Sequence, residues 1–254
     1  MDIQIDKMDG VLTLTMNRPS RKNALTTAMY TTMAEALASA REDKDVRAIV
    51  IRGTEGIFSS GNDVQDFLMN PPRDQDAPVF RFLREISTNP KPIVAAVSGV
   101  AVGIGLTMLL HCDLVYADET ARFSVPFVSL GVCPEAASSL LLPRLAGYHV
   151  AAEKLLLGEI FDAQEAFRTG VVNKVLPAGE ADTYAYAQAL KLAALPAASL
   201  RVTKNLLKNA QAAEIEARMG EEAVLFAQML VAPEAREAMT AFMEKRKPNF
   251  RQFD

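Results

Sequence analysis

Three short stretches of the chain combine residue types that could do chemistry. Two are glycine-bearing turns that follow apolar segments, Thr54 to Asp63 (TEGIFSSGND) and Gly99 to Gly105 (GVAVGIG). A turn of this kind, opening a helix, leaves backbone N–H groups without intrahelical partners at the positive end of the helix dipole. Two such donors together can hold an oxyanion. Gly103 and Gly105 are equally well explained by close helix–strand packing alone, and Met108 occupies the place of the third glycine that a dinucleotide fingerprint would need. The third stretch runs Gly131-Val132-Cys133-Pro134-Glu135-Ala136-Ala137. Pro134 suits the first turn of a helix, which would put the Glu135 carboxylate beside that helix start. Taken alone, such an acid complements the dipole and faces water. His111 and His149 are the only histidines, so a general base, if there is one, is more readily a carboxylate.

The elements that must position these stretches alternate between strand and helix for about 180 residues. Val11 to Met16 (VLTLTM) alternates apolar and hydroxyl residues, as a half-buried strand does. Met29, Met33 and Leu37, with Tyr30 and Ala34 alongside, form an apolar helical face between Thr27 and Arg41. Ala48 to Ile51 and Ile93 to Val97 are apolar runs expected to be buried on both sheet faces. A helix is expected to begin near Asp63 and to stop at Asn70-Pro71-Pro72. The polar, proline-rich segment from Pro71 to Pro78 then suits an entrance loop. Further helices are expected over Val79 to Ser87 and Leu106 to Cys112, with a strand over Asp113 to Ala117. Asp162-x-x-Glu165 reads as a capping box, with Gly170 ending its helix. Beyond Pro177 only helices are expected, over Ala181 to Leu195, Ser199 to Asn209, Ala213 to Gln228 and Pro233 to Lys245.

Composition narrows the class of partner. The 254 residues are 50% hydrophobic and carry a net charge of -4, which suits a sizeable core and argues against a phosphate-binding surface for nucleic acid. Two cysteines, Cys112 and Cys133, support neither a disulfide framework nor a metal site, and a reducing compartment is expected. No apolar run is long enough to span a bilayer and MDIQIDKMDG lacks a leader pattern, so the expected location is cytoplasmic. Four consecutive helices with apolar faces exceed what one small core needs, which points to self-association.

The two glycine turns and the acid together resemble the crotonase superfamily, the enoyl-CoA hydratase/isomerase family. Four stretches carry the resemblance: Asn17-Arg18-Pro19 with Asn23-Ala24-Leu25, Phe58-Ser59-Ser60-Gly61-Asn62-Asp63, Ser98 to Gly105 with Cys112-Asp113, and Phe242-Met243-Glu244-Lys245-Arg246. The resemblance implies an α/β fold, a crotonase-like spiral of strand-strand-helix units with a C-terminal helical trimerisation region. Residues 1–195 would form the acyl-CoA-binding core and 196–254 the helical region. It also implies a homotrimer or a dimer of trimers.

The resemblance further implies an acyl-CoA thioester substrate, with coenzyme A arriving as part of it and neither a separate cofactor nor a metal. The oxyanion donors fall on the backbone N–H groups of Asn62 and Ile104. The glutamate pair of the hydratases falls on Thr107, which can offer only a hydroxyl, and on Phe127. Glu135 stands where 3,2-trans-enoyl-CoA isomerases of the peroxisomal type carry one base, inside the stretch Leu130 to Ser139. Lys22 and the Ala24 backbone match the nucleotide end, and Asp63 and Val64 flank the pantetheine turn. By the same resemblance Ser60, Gly61, Gln65, Gly103, Phe127 and Phe242 would be further substrate contacts, and Lys245 matches a phosphate contact from the same or an adjacent subunit. The implied activity is a shift of a 3-enoyl-CoA double bond to the 2-trans position in fatty-acid or related acyl-CoA degradation. The alternatives are another crotonase reaction, hydration or thioester hydrolysis, and a non-catalytic acyl-CoA-binding protein.

Overall fold

The structure, a computed structural model, describes the chain apart from residues 55, 73–75 and 254 and the side chains of Leu68 and Phe242. In chain order the elements are β1 (Ile3–Met8), β2 (Val11–Met16), α1 (Thr27–Glu42), β3 (Ala48–Arg52), α2 (Val64–Met69), α3 (Pro78–Thr88), β4 (Ile93–Val97) and β5 (Val100–Val102). There follow α4 (Ile104–Thr107), β6 (Leu114–Asp118), β7 (Arg122–Ser124), α5 (Ser138–Ala146), α6 (Tyr148–Leu157), β8 (Phe161–Asp162), α7 (Ala163–Arg168) and β9 (Lys174–Leu176). The chain finishes with α8 (Ala181–Ala194), α9 (Ala197–Leu230) and α10 (Pro233–Met243).

Among the described residues the strands form a six-stranded sheet, ordered β1-β2-β3-β4-β6-β9, and a three-stranded sheet, ordered β5-β7-β8. β1 pairs antiparallel with β2, and from β2 onward the large sheet is parallel. β4 and β6 each pass after a few residues into a strand of the small sheet. This repetition stacks equivalent positions: Ser59 pairs with Ala101, Ala101 with Phe123, and Phe123 with Phe161. The spiral of strand-strand-helix units and the helical C-terminal region are therefore present.

Apolar residues cover both faces of the large sheet, so its central strands read as continuous apolar runs. On one face Val50, Val94 and Ala96 pack against Ala181, Ala185 and Ala189 of α8. The other face carries Leu14, Ile49, Ile51 and Ala95 into the main core with Met29, Met33 and Leu37 of α1. β2 is accordingly buried on both faces rather than on one, since α8 also covers the side that holds Thr13 and Thr15. The Thr15 hydroxyl there accepts a 3.0 Å bond from Arg52 Nε.

Several boundaries differ from the sequence reading. The expected helices 199–209 and 213–228 are one 34-residue helix, α9, because the bridging Ala210-Gln211-Ala212 holds good helix formers and no breaker. The helix expected from Leu106 begins at Ile104 and tightens into a 3-10 turn over Met108–His111. Residues 134 and 135 precede α5 rather than open it, since Ala136 and Ala137 adopt left-handed φ values of 59° and 55°. β1, β5, β7 and β8 are too short or too polar to have stood out. Asp63 caps α2, and Asp162 caps α7 by accepting from the Glu165 N–H at 2.8 Å. No helix among the described residues is long and apolar enough to cross a membrane.

Candidate active site

The two glycine turns lie side by side. The Ser59 N–H donates to the Val100 carbonyl at 2.9 Å, and the Val102 N–H returns to the Ser59 carbonyl at 3.0 Å. Contact is close enough that a β-carbon on Gly61 would sit 3.0 Å from the Val102 carbonyl oxygen, and one on Gly105 only 2.7 Å from that of Ser59. Gly61 also has a φ of +99°, which side-chain-bearing residues rarely adopt. Packing thus explains Gly105, and the same packing brings the Asn62 and Ile104 segments together.

Both candidate donors are left over by the local hydrogen bonding. Leu25 bridges Asn62 in parallel fashion: the Leu25 N–H donates to the Gly61 carbonyl and the Asp63 N–H donates to the Leu25 carbonyl, each at 2.8 Å. In that pattern the Asn62 N–H faces away from Leu25. The Ile104 N–H is the first of α4, so no helical carbonyl precedes it. Gly103, the residue before it, donates its own N–H to the Ser124 carbonyl at 2.9 Å. The Asn62 side chain is fixed separately, its Oδ1 accepting from the buried Tyr30 hydroxyl at 2.5 Å.

Glu135 reaches this region through α4. Thr107 lies three residues after Ile104, on the same side of the helix, and its buried hydroxyl donates to Glu135 Oε1 at 2.9 Å. Glu135 as a whole is only 9% exposed. Burial pushes its pKa up to about 7, against the Thr107 hydrogen bond that favours the anion, and the nearby Glu222 carboxylate adds to the rise. Glu135 lines a cavity with Phe67, Val79, Phe80, Leu83, Met219 and Phe226. Phe127 is buried in the main core and is not among the residues lining that cavity. The two left-handed alanines after Glu135 cost on the order of 1–2 kcal/mol each and are held by contacts from elsewhere. His111 Nε2 lies 2.8 Å from the Ala136 carbonyl, and Glu222 Oε2 accepts the Ala137 N–H at 2.6 Å.

The remaining candidates frame the first glycine turn. Lys22 is exposed, and its carbonyl accepts the Ser60 N–H at 2.9 Å. The Ala24 carbonyl accepts from Arg18 at 3.0 Å, and the same guanidinium holds Asp63 at 2.7 Å. Burial works to raise the Asp63 pKa, but Arg18 and the Asp66 and Gln65 amides outweigh it and keep this carboxyl below its usual range. Val64 and Gln65 open α2, with Asp63 capping it through the Asp66 N–H at 3.1 Å. Lys245 is exposed just past α10, and the side chain of Phe242 lies outside the described residues. Of the entrance segment, residues 73–75 are likewise outside, while Pro71, Pro72, Ala77 and Pro78 line a cavity with Tyr30 and Phe67. Among the described residues no group of three or more His, Cys, Asp or Glu could hold a metal.

The sequence does not single out Tyr30, Arg18, Glu222 or His111 as site residues. Tyr30 hides within an apolar helical face, and Glu222 sits among the other charges of α9. Asn23 carried the better signal, since a fully buried asparagine beside a turn must satisfy its amide. Its Oδ1 accepts the Arg18 N–H at 2.8 Å, and its Nδ2 donates to the Ile57 carbonyl at 2.7 Å.

Fold and site together define an α/β spiral whose two glycine turns present amides without a partner among the described residues, next to a helix that holds a buried carboxyl group. Residues 6–253 match the Enoyl-CoA hydratase/isomerase family, and the chain belongs to that family. Enoyl-CoA delta isomerase 2 of Rattus norvegicus is 36% identical over 252 residues, which cover 97% of this chain and 64% of the rat protein, so the chain spans less than two thirds of that relative. The 2,3-dehydroadipyl-CoA hydratase of Escherichia coli K12 is 31% identical over 257 residues, covering 98% of each. A solved structure of an enoyl-CoA hydratase/isomerase from Pseudoalteromonas atlantica T6c matches with a TM-score of 0.94 at 40% identity, over 98% of this chain and 100% of that one. The expected crotonase fold and family are thus found. Isomerases and hydratases both occur among the relatives, so the reaction must be argued from the residues.

Proposed function

We propose that the protein shifts the double bond of a 3-enoyl-CoA thioester to the 2-trans position. The observation that carries this reading is Glu135, a buried carboxyl group with a pKa raised to about 7, in a cavity lined otherwise by apolar side chains. Glu135 takes a proton from the α-carbon, the electron pair of that C–H bond moves onto the thioester carbonyl, and the resulting dienolate keeps its 3,4 double bond and carries its charge on the thioester oxygen. The Asn62 and Ile104 amides donate to that oxygen. Glu135 then returns the proton to the γ-carbon, leaving the double bond at position 2. A base near neutrality serves both transfers, because it must lose and regain the proton at similar cost.

Hydration requires carboxylates placed to activate and deliver water. The hydratase positions hold Thr107, whose hydroxyl is spent on Glu135, and Phe127, which is buried in the core. Glu222 is no substitute, since both of its oxygens accept hydrogen bonds from the α5 start. Coenzyme A enters as part of the substrate, with Lys22 as a candidate contact to its nucleotide end and Lys245 to a phosphate, and no separate cofactor takes part. Residues 1–195 form the acyl-CoA core in this reading, and 196–254 the helical region that assembles trimers or dimers of trimers. Exposed Leu156, Leu157, Ile160, Val202, Leu206 and Leu207 support such assembly.

The test is to incubate the purified protein separately with 3-enoyl-CoA and 2-enoyl-CoA and to identify products by mass and double-bond position. Conversion of the first to 2-enoyl-CoA, with little gain of water by the second, is expected. Rapid formation of 3-hydroxyacyl-CoA would favour the hydratase alternative and remove the isomerase reading.

A further inference from the structure

The peptide unit between Ala136 and Ala137, directly after the candidate base, is gripped at both ends. Its carbonyl faces His111 Nε2 at 2.8 Å, and because a carbonyl only accepts, that nitrogen carries the proton. Its N–H donates to Glu222 Oε2 at 2.6 Å. The other Glu222 oxygen takes the Ser139 N–H at 3.1 Å and the Ser139 hydroxyl at 2.5 Å. His111 and Glu222 are 2% and 4% exposed, and they come from the 3-10 turn after α4 and from the C-terminal part of α9. Two strained residues, clamped by two buried polar side chains from distant parts of the chain, are more than a helix cap needs.

We propose that Glu222 and His111 are positioning residues for Glu135: together they hold the left-handed turn that directs its carboxylate into the cavity, and Glu222 alone of the two places a carboxylate behind the loop. This rests on the proposed role of Glu135 as the base. Other titratable groups facing Glu135 are Tyr30 from α1 and Cys133 on the loop itself, and burial raises the pKa of both, so each stays neutral. Burial holds His111 neutral as well, with its pKa lowered to about 4. Burial raises the Glu222 pKa, and the hydrogen bonds from Ser139 and Ala137, with Arg218 one turn before it, work the other way and favour its anion. The facing residues of α2 and α3 are apolar, Phe67, Phe80 and Leu83 among them. Geometry and charge are therefore separable: both side chains orient the loop, and only Glu222 brings charge to it.

Two readouts test this, each checked against thermal unfolding of the same variants. The first is kcat for 3-enoyl-CoA. The second is the titration midpoint of Glu135 in the free protein, read by carboxyl carbon NMR with Glu135→Gln as the assignment control. Glu222→Gln should lower kcat about 10- to 100-fold with little change in KM, as misplaced catalytic groups do, and should move the midpoint to lower pH. Glu222→Asp keeps the charge but is too short to reach all three donors, so kcat should fall with the midpoint nearly in place. His111→Leu should lower kcat without moving the midpoint, and His111→Gln, which can still donate, should recover much of the loss. If Glu222→Gln melts below the assay temperature, the Asp, Leu and Gln variants carry the same test. Wild-type kcat and midpoint in folded Glu222→Gln would overturn the proposal, as would equal midpoint shifts in the Gln and Asp variants. Should the wild-type protein not turn over 3-enoyl-CoA, the isomerase reading fails, and the Glu135 titration alone decides the clamp.

Discussion

The glycine turns around Asn62 and Ile104 and the loop that carries Glu135 are built in opposite ways. Each turn is organised by backbone: a short ladder between Ser59 and Val100–Val102, with glycines where another chain atom presses in. The Glu135 loop has no such ladder. Side chains from α4, from the following 3-10 turn and from α9 hold it, through Thr107, His111 and Glu222. Backbone donors need only correct chain geometry, whereas a carboxylate base also needs its solvent exposure and neighbouring charges set, which distant elements must supply.

On the backbone side the comparison can be broken at Gly105. Gly105→Ala drives a β-carbon into the Ser59 carbonyl, a backbone atom held by its hydrogen bond from the Val102 N–H. Displacing the Ile104 amide should lower kcat by about 100-fold or more, the usual scale for losing one oxyanion donor, with circular dichroism near that of the wild type. A variant with normal turnover would separate the glycine packing from the amide pair.

That side was also the legible one. Glycines at 61, 103 and 105 after apolar runs announce tight turns, and Asp63 and Asp162 announce their helix starts, because each signal lies within a few residues of its effect. The acid side was legible only in its identity. Nothing near Pro134-Glu135 reveals that α5 starts at Ser138, since two left-handed alanines break the expected helix and the compensating carboxylate, Glu222, lies more than 80 residues later. The continuity of α9 is legible locally, by contrast, since Ala210-Gln211-Ala212 holds helix formers and no breaker.

A smaller effect sharpens the comparison through pH. If Glu135 acts as a base, kcat/KM should rise with pH through a midpoint near 7, where the carboxyl group loses its proton. The Thr107 hydrogen bond favours the anion, so Thr107→Val should move that midpoint to higher pH, opposite to Glu222→Gln. At pH 8 the loss in kcat/KM should be about tenfold, the worth of one hydrogen bond to a charged group. An unchanged profile would mean that Thr107 does not set the protonation of the base.

Smallest is the expected effect of Tyr30→Phe, which removes the hydrogen bond to Asn62 Oδ1 and leaves the Asn62 backbone in its bridge to Leu25. A kcat loss of only a few-fold is expected, since the net worth of such a bond is about 1 kcal/mol. A loss as large as that of Gly105→Ala would show that the Asn62 side chain, and not only its amide, takes part.

The most direct measurement of the central claim is Glu135→Gln, followed by turnover, ligand affinity and stability on the same preparation. Isomerisation of 3-enoyl-CoA should fall by about 1,000-fold or more, near the upper range for removing a general base, while calorimetric binding of a saturated acyl-CoA stays close to wild type. Stability should respond in the opposite direction. Between the ordinary glutamate value and about 7 the unfolded chain has released a proton that the folded protein keeps, so ionised Glu135 weakens the fold as pH rises through that window. The variant should therefore be more stable than wild type at pH 8, by up to about 3 kcal/mol, and should lose that advantage near pH 4. Near-normal turnover in Glu135→Gln would contradict the account and leave the amide pair without its base.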